Sequence, residues 1–141
     1  MRLVNRIVAR NLLLFVGAYY LSVLLGMPFF IGFAALTEGR IYEGAAGGLV
    51  SSLVAAVPIA VEDIIAALLA GWLLQSSAHR RWAFGFGFFL FVVHVMSFRW
   101  HITPTITDRL QVLPGHVIPA AIAVPVFLFA AKRFKASAEA A

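Results

Sequence analysis

Glu62 and Asp63 stand side by side in the middle of an apolar run, Gly47 to Leu74, that holds no other charged side chain. A charge at the centre of a bilayer costs about 2.5–3.5 kcal/mol even on the lenient insertion scale, so acids at such a depth need a functional or structural reason. Two reasons fit these residues: a relay for protons or cations, or interhelical hydrogen bonds that hold a bundle together. Successive residues of a helix point about 100° apart, so the two carboxyl groups cannot share a direction. Asp63 falls on a stripe of small residues, with Ser52, Ala56, Ala60, Ala67 and Ala70, and is expected to face a neighbouring helix. Glu62 borders that face.

His94, Ser97 and His101 follow one another at spacings of three and four, which places them with Gly87 on one face of a helix. If the chain turns between Leu74 and Trp82, Glu62 and His94 each lie about a dozen residues from that turn, and their depths agree to within a helical turn. The expectation is a contact between Glu62 or Asp63 and His94. Histidine changes charge closest to physiological pH, so such a pair is suited to passing protons, with Ser97 beside it as a polar neighbour. A plain hydrogen bond facing the bundle is the structural alternative for His94, and it is the reading for His101 and His116 near the far interface.

With no cysteine in the chain, a metal or haem site would draw on its histidines and carboxylates. His94 and His101 are about 10.5 Å apart along a helix, too far to share one ion, and no HxxxH or HExxH spacing occurs. Zinc would have to draw Glu62, Asp63 and His94 from different helices, and a bis-histidine haem would need His101 with His116. No cofactor is therefore expected, with zinc and haem as the weaker alternatives. Ser51, Ser52, Ser76 and Ser77 lack a GxSxG elbow, so no nucleophile is identified and the reading leans away from an enzyme. The GFG at 85–87 follows no strand and reads as a helix-packing feature, not a nucleotide loop. The phenylalanines around it, Trp82 to Phe91, read as lipid-facing bulk.

These residues need helices to carry them, and composition says which kind. Of 141 residues, 62% are hydrophobic and only 12% charged, whereas soluble domains carry about a quarter. No water-soluble fold of this size hides so much apolar surface. Four runs are long enough for a hydrocarbon core: about 11–36, 47–74, 82–100 and 113–134. The fold expected is all-α, one membrane domain over residues 1–141, built as an antiparallel bundle of four transmembrane helices. Only the tail 136–141 looks disordered. The first run exceeds the apolar core of a signal peptide and reads as a retained helix.

Arg2, Arg6, Arg10, Arg80, Arg81, Lys132, Arg133 and Lys135 fall on one side of that topology, against Arg40, Arg99 and Arg109 on the other. The positive-inside rule then puts both termini in the cytoplasm, and the reading places the chain in a bacterial cytoplasmic (inner) membrane. Trp82, Arg99 and Trp100 bracket the third helix as interface anchors. The net charge of +5 does not form the stripe that nucleic acid requires, so no nucleic-acid partner is expected. Juxtamembrane cations instead attract anionic lipid. Pro28, Pro58, Pro119 and Pro125 are expected to make the bundle irregular. In size alone the chain resembles the small multidrug transporters, but their functional acid lies in the first helix, where this chain has no carboxylate; no family is assigned. The function expected is a small proton- or cation-translocating component. Because four helices enclose little room, the partners expected are the lipid bilayer and either further copies of the chain or a larger membrane complex. The alternatives are a non-catalytic accessory subunit of such a complex and a haem or metal redox protein.

Overall fold

A computed structural model of the protein describes residues 2–37, 48–74, 80–98 and 106–139. Every element among them is helical: α1 (Arg2–Leu36), α2 (Gly48–Leu73), α3 (Arg80–Phe98), α4 (Ile106–Val112) and α5 (Pro114–Glu139). Three stretches are long and apolar enough to cross a membrane, Arg6–Leu36, Gly48–Leu73 and Leu110–Ala136. Away from the charged ends of these stretches the outward side chains are apolar, as at Leu13, Leu24, Val50 and Phe129. Such a surface is unsuited to water and natural in lipid.

The boundaries differ from the sequence expectation in instructive ways. α1 begins at Arg2, not near residue 11, because arginine is a good helix former and its long stem lets the charge reach the interface while the backbone stays helical. α3 runs from Arg80 to Phe98, so Arg99, Trp100 and His101 lie outside the described residues. The span 101–112 is not simply a connection, since α4 occupies its second half. α5 starts at Pro114 and continues to Glu139, so helix replaces most of the tail expected to be disordered. Pro114 ends α4 because it has no N–H for that helix's ladder, and its fixed φ suits the first position of the next helix. The interior prolines Pro28, Pro58, Pro119 and Pro125 all lie within continuous helix.

α2 and α5 form the most extensive interface and run parallel. At one end Ser52 meets Gly115, and at the other Gly71 meets Phe127 and Ala130. Both meetings demand glycine. A β-carbon on Gly71 would lie 2.7 Å from the Phe127 carbonyl oxygen, and one on Gly115 would lie 2.7 Å from the Ser52 carbonyl oxygen. The small face of α2 that makes this approach possible is buried: Ser52, Ala55, Ala56, Ala66, Ala67, Ala70 and Gly71, with Asp63 among them. Lipid supplies no hydrophobic drive between helices, so such close packing is what holds them.

α3 lies antiparallel to α5, with Gly87 against Ala120 and Val124 and Phe86 against Phe127. Because α2 and α5 run the same way, the chain must travel back between them, and α3 makes that return. α1 packs on α2 and touches α3 through aromatic rings, Phe15 on Trp82 and Phe86, and Tyr19 on Phe89. One end of the bundle therefore gathers the starts of α1 and α3 and the ends of α2 and α5. The other carries α4 with the starts of α2 and α5. The phenylalanines of α3 are not uniformly lipid-facing: Phe84 and Phe88 are exposed, but Phe86 is fully buried with Phe15 and Phe127.

Replacing Gly71 by Ala should destabilise the protein by about 1–3 kcal/mol, because the added methyl meets backbone that cannot turn aside. Gly85→Ala is the matched control, since nothing lies within 4 Å of its would-be β-carbon. That change should be neutral or stabilising by up to about 1 kcal/mol. Unfolding in bicelles measures both, and equal stability of the two variants would show that close approach of α2 and α5 is not what holds the bundle.

Candidate functional site

Asp63 is fully buried on the α5-facing side of α2, and its Oδ1 lies 2.8 Å from Nε2 of His94, which is itself 6% exposed. The contact expected from matching depths is thus present, and it is made by Asp63. Elsewhere α2 and α3 hardly approach each other, so this bond links two helices that otherwise meet through α1 and α5. Asp63 Oδ2 has no hydrogen-bond partner among the described residues.

Two further rings complete the surroundings of His94. Tyr19 of α1 meets it edge-on, with centroids 5.9 Å apart at 71°. His116 of α5 stacks on it at 6.2 Å and 18°. From sequence, His116 is expected near the far interface, paired with His101 if a haem were bound. Instead it is buried at the level of His94. The reason lies in the α4–α5 junction. Ser52 Oγ accepts a hydrogen bond from the Gly115 N–H at 3.0 Å and donates one to the Val112 carbonyl at 3.1 Å. It satisfies a first-turn donor that no helix can pair internally. Held there by Ser52, α5 begins deep against α2, and His116 in its first turn is delivered to the core.

Glu62 points elsewhere, as the 100° rule requires. It is half-buried on the side of α1, where a β-carbon on Gly26 would lie 3.8 Å from Glu62 Cβ. Its Oε1 is buried without a hydrogen-bond partner among the described residues. The acid pair is therefore divided: one carboxyl joins the histidines and the other faces α1.

Ser97 lies in α3, but its side chain is outside the described residues, as is the whole of His101. Trp82 is half-buried and leans edge-on against Phe15 at 6.0 Å. Among the described residues no group of three or more His, Asp and Glu is arranged to hold a metal ion. Sequence reasoning missed Tyr19, His116 as a neighbour of His94, and Asn11, which is fully buried at the arginine end of α1. A signal was available for α1. Asn11, Ala18, Ser22 and Gly26 recur at spacings of seven and four and are all buried, so the small and polar members of an otherwise bulky run mark its inner face, which Phe15 shares.

Below the polar cluster, toward Arg80, the core is dry. Phe15, Phe86 and Phe127 close on one another with centroids 4.9 to 6.4 Å apart, backed by Leu74 and Leu90. Along the axis the interior thus runs from histidine and carboxylate through an aromatic layer to Asn11 and the arginines. The fold and this interior define an all-α membrane-spanning protein with an acid–histidine cluster in its core. No family model matches the chain, and no curated protein or solved structure matches it.

A double-mutant cycle tests the central contact. Asp63→Leu combined with His94→Phe should reveal a coupling of about 1 kcal/mol in unfolding free energy, the scale of interhelical polar contacts in bilayers. Additive effects would mean that the two side chains contribute independently.

Proposed function

We propose that the protein is a small proton-translocating component of a bacterial cytoplasmic membrane, with both termini cytoplasmic, α3 as the fourth crossing, and Asp63, His94 and His116 as its relay. The observation that carries this reading is the fully buried Asp63 carboxyl, bonded at 2.8 Å to a histidine that stacks on a second histidine. A carboxyl at such depth is retained at a cost unless it is used or well paired, and among the described residues only one of its oxygens is paired.

The chemistry is a proton exchange across the Asp63–His94 bond. His94 as imidazolium gives its Nε2 proton to Oδ1 of the Asp63 carboxylate, leaving neutral imidazole and carboxylic acid; release of that proton by Asp63 and a new proton taken up by His94 from His116 restore the pair. Passage from His116 needs one ring to rotate, because the imidazoles lie face to face and not nitrogen to nitrogen. His116 belongs to the first turn of α5, on the α4 side, so the relay opens toward that side. Toward the cytoplasm the aromatic layer closes it. Conduction therefore requires that layer to admit water or a further polar group. A homo-oligomer or a larger complex is the natural setting, because four helices leave no solute-sized path.

The same aromatic layer favours a second reading. A non-transporting accessory subunit, in which Asp63 and His94 only fix helix positions, would also keep its inner half dry. Flux separates the two readings. In proteoliposomes with a potassium-diffusion potential and an entrapped pH dye, Asp63→Asn and His94→Ala should each lower proton uptake on the order of a hundredfold, the usual yield of a positioned acid–base group. Asn keeps size and hydrogen bonding while removing ionisation. Glu62→Gln is the paired control for the neighbouring carboxyl. Wild-type flux in both test variants, with unchanged stability, would make the cluster structural. Reporter fusions after the C-terminal tail and within 38–47 check the orientation, and an extracytoplasmic tail would invert the proposed direction.

A further inference from the structure

On the lipid side of α3 and α5 lies a groove of about 460 Å³ with walls of Phe84, Phe88 and Phe91 and a shallow floor of Gly87, Ala120 and Ala121. The groove exists because the floor residues are small. A β-carbon on Gly87 would lie 2.7 Å from a Val124 methyl, so α3 and α5 touch there while the phenylalanine rings project past them. Phe84 and Phe88 are 65% and 68% exposed, so these rings are walls and not core. Nothing polar lines this part.

At the foot of the groove the character changes. Arg80 and Arg81 lie one turn below Phe84, on either side of the groove's line along α3; a separate concavity of about 660 Å³, which shares no lining residue with the groove, borders Arg80, Arg81, Trp82 and Gly85. The antiparallel pairing of α3 with α5 brings Lys132 to the same level. Arg80, Arg81 and Lys132 are exposed and make no hydrogen bond or ion pair among the described residues.

We propose that this surface is a site for one anionic phospholipid, its phosphate against Arg80 and Arg81 and one acyl chain in the α3–α5 groove. Length and charge both select that occupant. From Arg81 to Phe91 the helix rises about 15 Å, which is half of a hydrocarbon core about 30 Å thick, the depth of a single leaflet. A soluble phosphate would use the arginines and leave the groove empty, while a second helix would need the groove and find three cations at its mouth. Guanidinium recognises phosphate with paired donors. The site is independent of the proposed proton relay, since it shares no residue with it.

The test uses the full chain in mild detergent with equal phosphatidylglycerol and phosphatidylcholine of identical acyl chains, the lipid retained being counted by native mass spectrometry. Wild type should retain one phosphatidylglycerol in preference to phosphatidylcholine. Arg81→Gln should lower that preference about fivefold, the factor that one juxtamembrane cation contributes. Ala121→Phe fills the groove from its lipid side and should abolish retention of both lipids. Arg6→Gln, an equal loss of charge on α1, should change neither. Equal retention of the two lipids by wild type, undiminished retention in Ala121→Phe, or a loss in Arg6→Gln equal to that in Arg81→Gln would each overturn the site. If Ala121→Phe does not fold, Phe88→Ala removes a wall instead, and unchanged retention there overturns it equally.

Discussion

Turning inward gains an apolar side chain nothing in lipid, so the constraint on which this structure depends is how closely two backbones can approach. α2 and α5 approach at both ends, at Ser52 with Gly115 and at Gly71 with Phe127 and Ala130. Each meeting tolerates no β-carbon, and together they fix both the register and the parallel direction of the pair. With that pair set, the remaining helices have little choice. α3 must return the chain antiparallel to α5, and α1 must cover the other side of α2.

The polar cluster follows from the same register. Asp63 lies on the small face of α2 and so is carried into the interface with α5, where water cannot reach it. His94 comes from α3, which barely meets α2, and its bond to Asp63 spans a gap that packing alone leaves open. His116 arrives because Ser52 holds the start of α5 against α2. One hydroxyl thus sets the depth at which a histidine enters the core. Glu62, a single residue away, is turned toward Gly26 on α1 and takes no part in this gathering. Two adjacent acids acquire different surroundings simply from the pitch of the helix.

Much of this was legible in the residues. Run lengths placed the long helices, the alanine stripe identified the inner face of α2, and equal distances of Glu62 and His94 from the connection between their helices anticipated a meeting of Glu62 or Asp63 with His94, which Asp63 makes. What periodicity could not reveal was partnership. Helices that are apolar all round carry little angular signal, so nothing in α2's pattern distinguishes α5 from α3 as its closest neighbour. That choice is made by shape, a missing methyl at Gly71 opposite Ala130 and another at Gly115 opposite Ser52. His116 was misplaced for the same reason, because its depth is set by a hydroxyl more than sixty residues away and not by its own neighbours in sequence. The aromatic layer was hidden too. Phe86 and Phe88 differ by two positions, one fully buried and the other lipid-facing, and in a run so rich in phenylalanine both read as bulk.

The two kinds of contact in the bundle also differ in how they can yield. The α2–α5 interface is backbone against backbone, and separating it requires whole helices to move. α1 and α3 meet instead through ring edges: Phe15 on Trp82 and Phe86 in the dry layer, Tyr19 on Phe89 and His94 above it. Rings can be displaced by rotation about side-chain bonds, on far shorter timescales than helices shift. The dry layer that closes the proposed relay toward the cytoplasm is made largely of such rings, while the small-residue pair beside it supplies the fixed wall. The proton path proposed along this interior would therefore be bounded on one side by rigid backbone and on the other by movable aromatic side chains. This asymmetry is the one a relay needs if its cluster is to hold its geometry while the layer below it opens and closes.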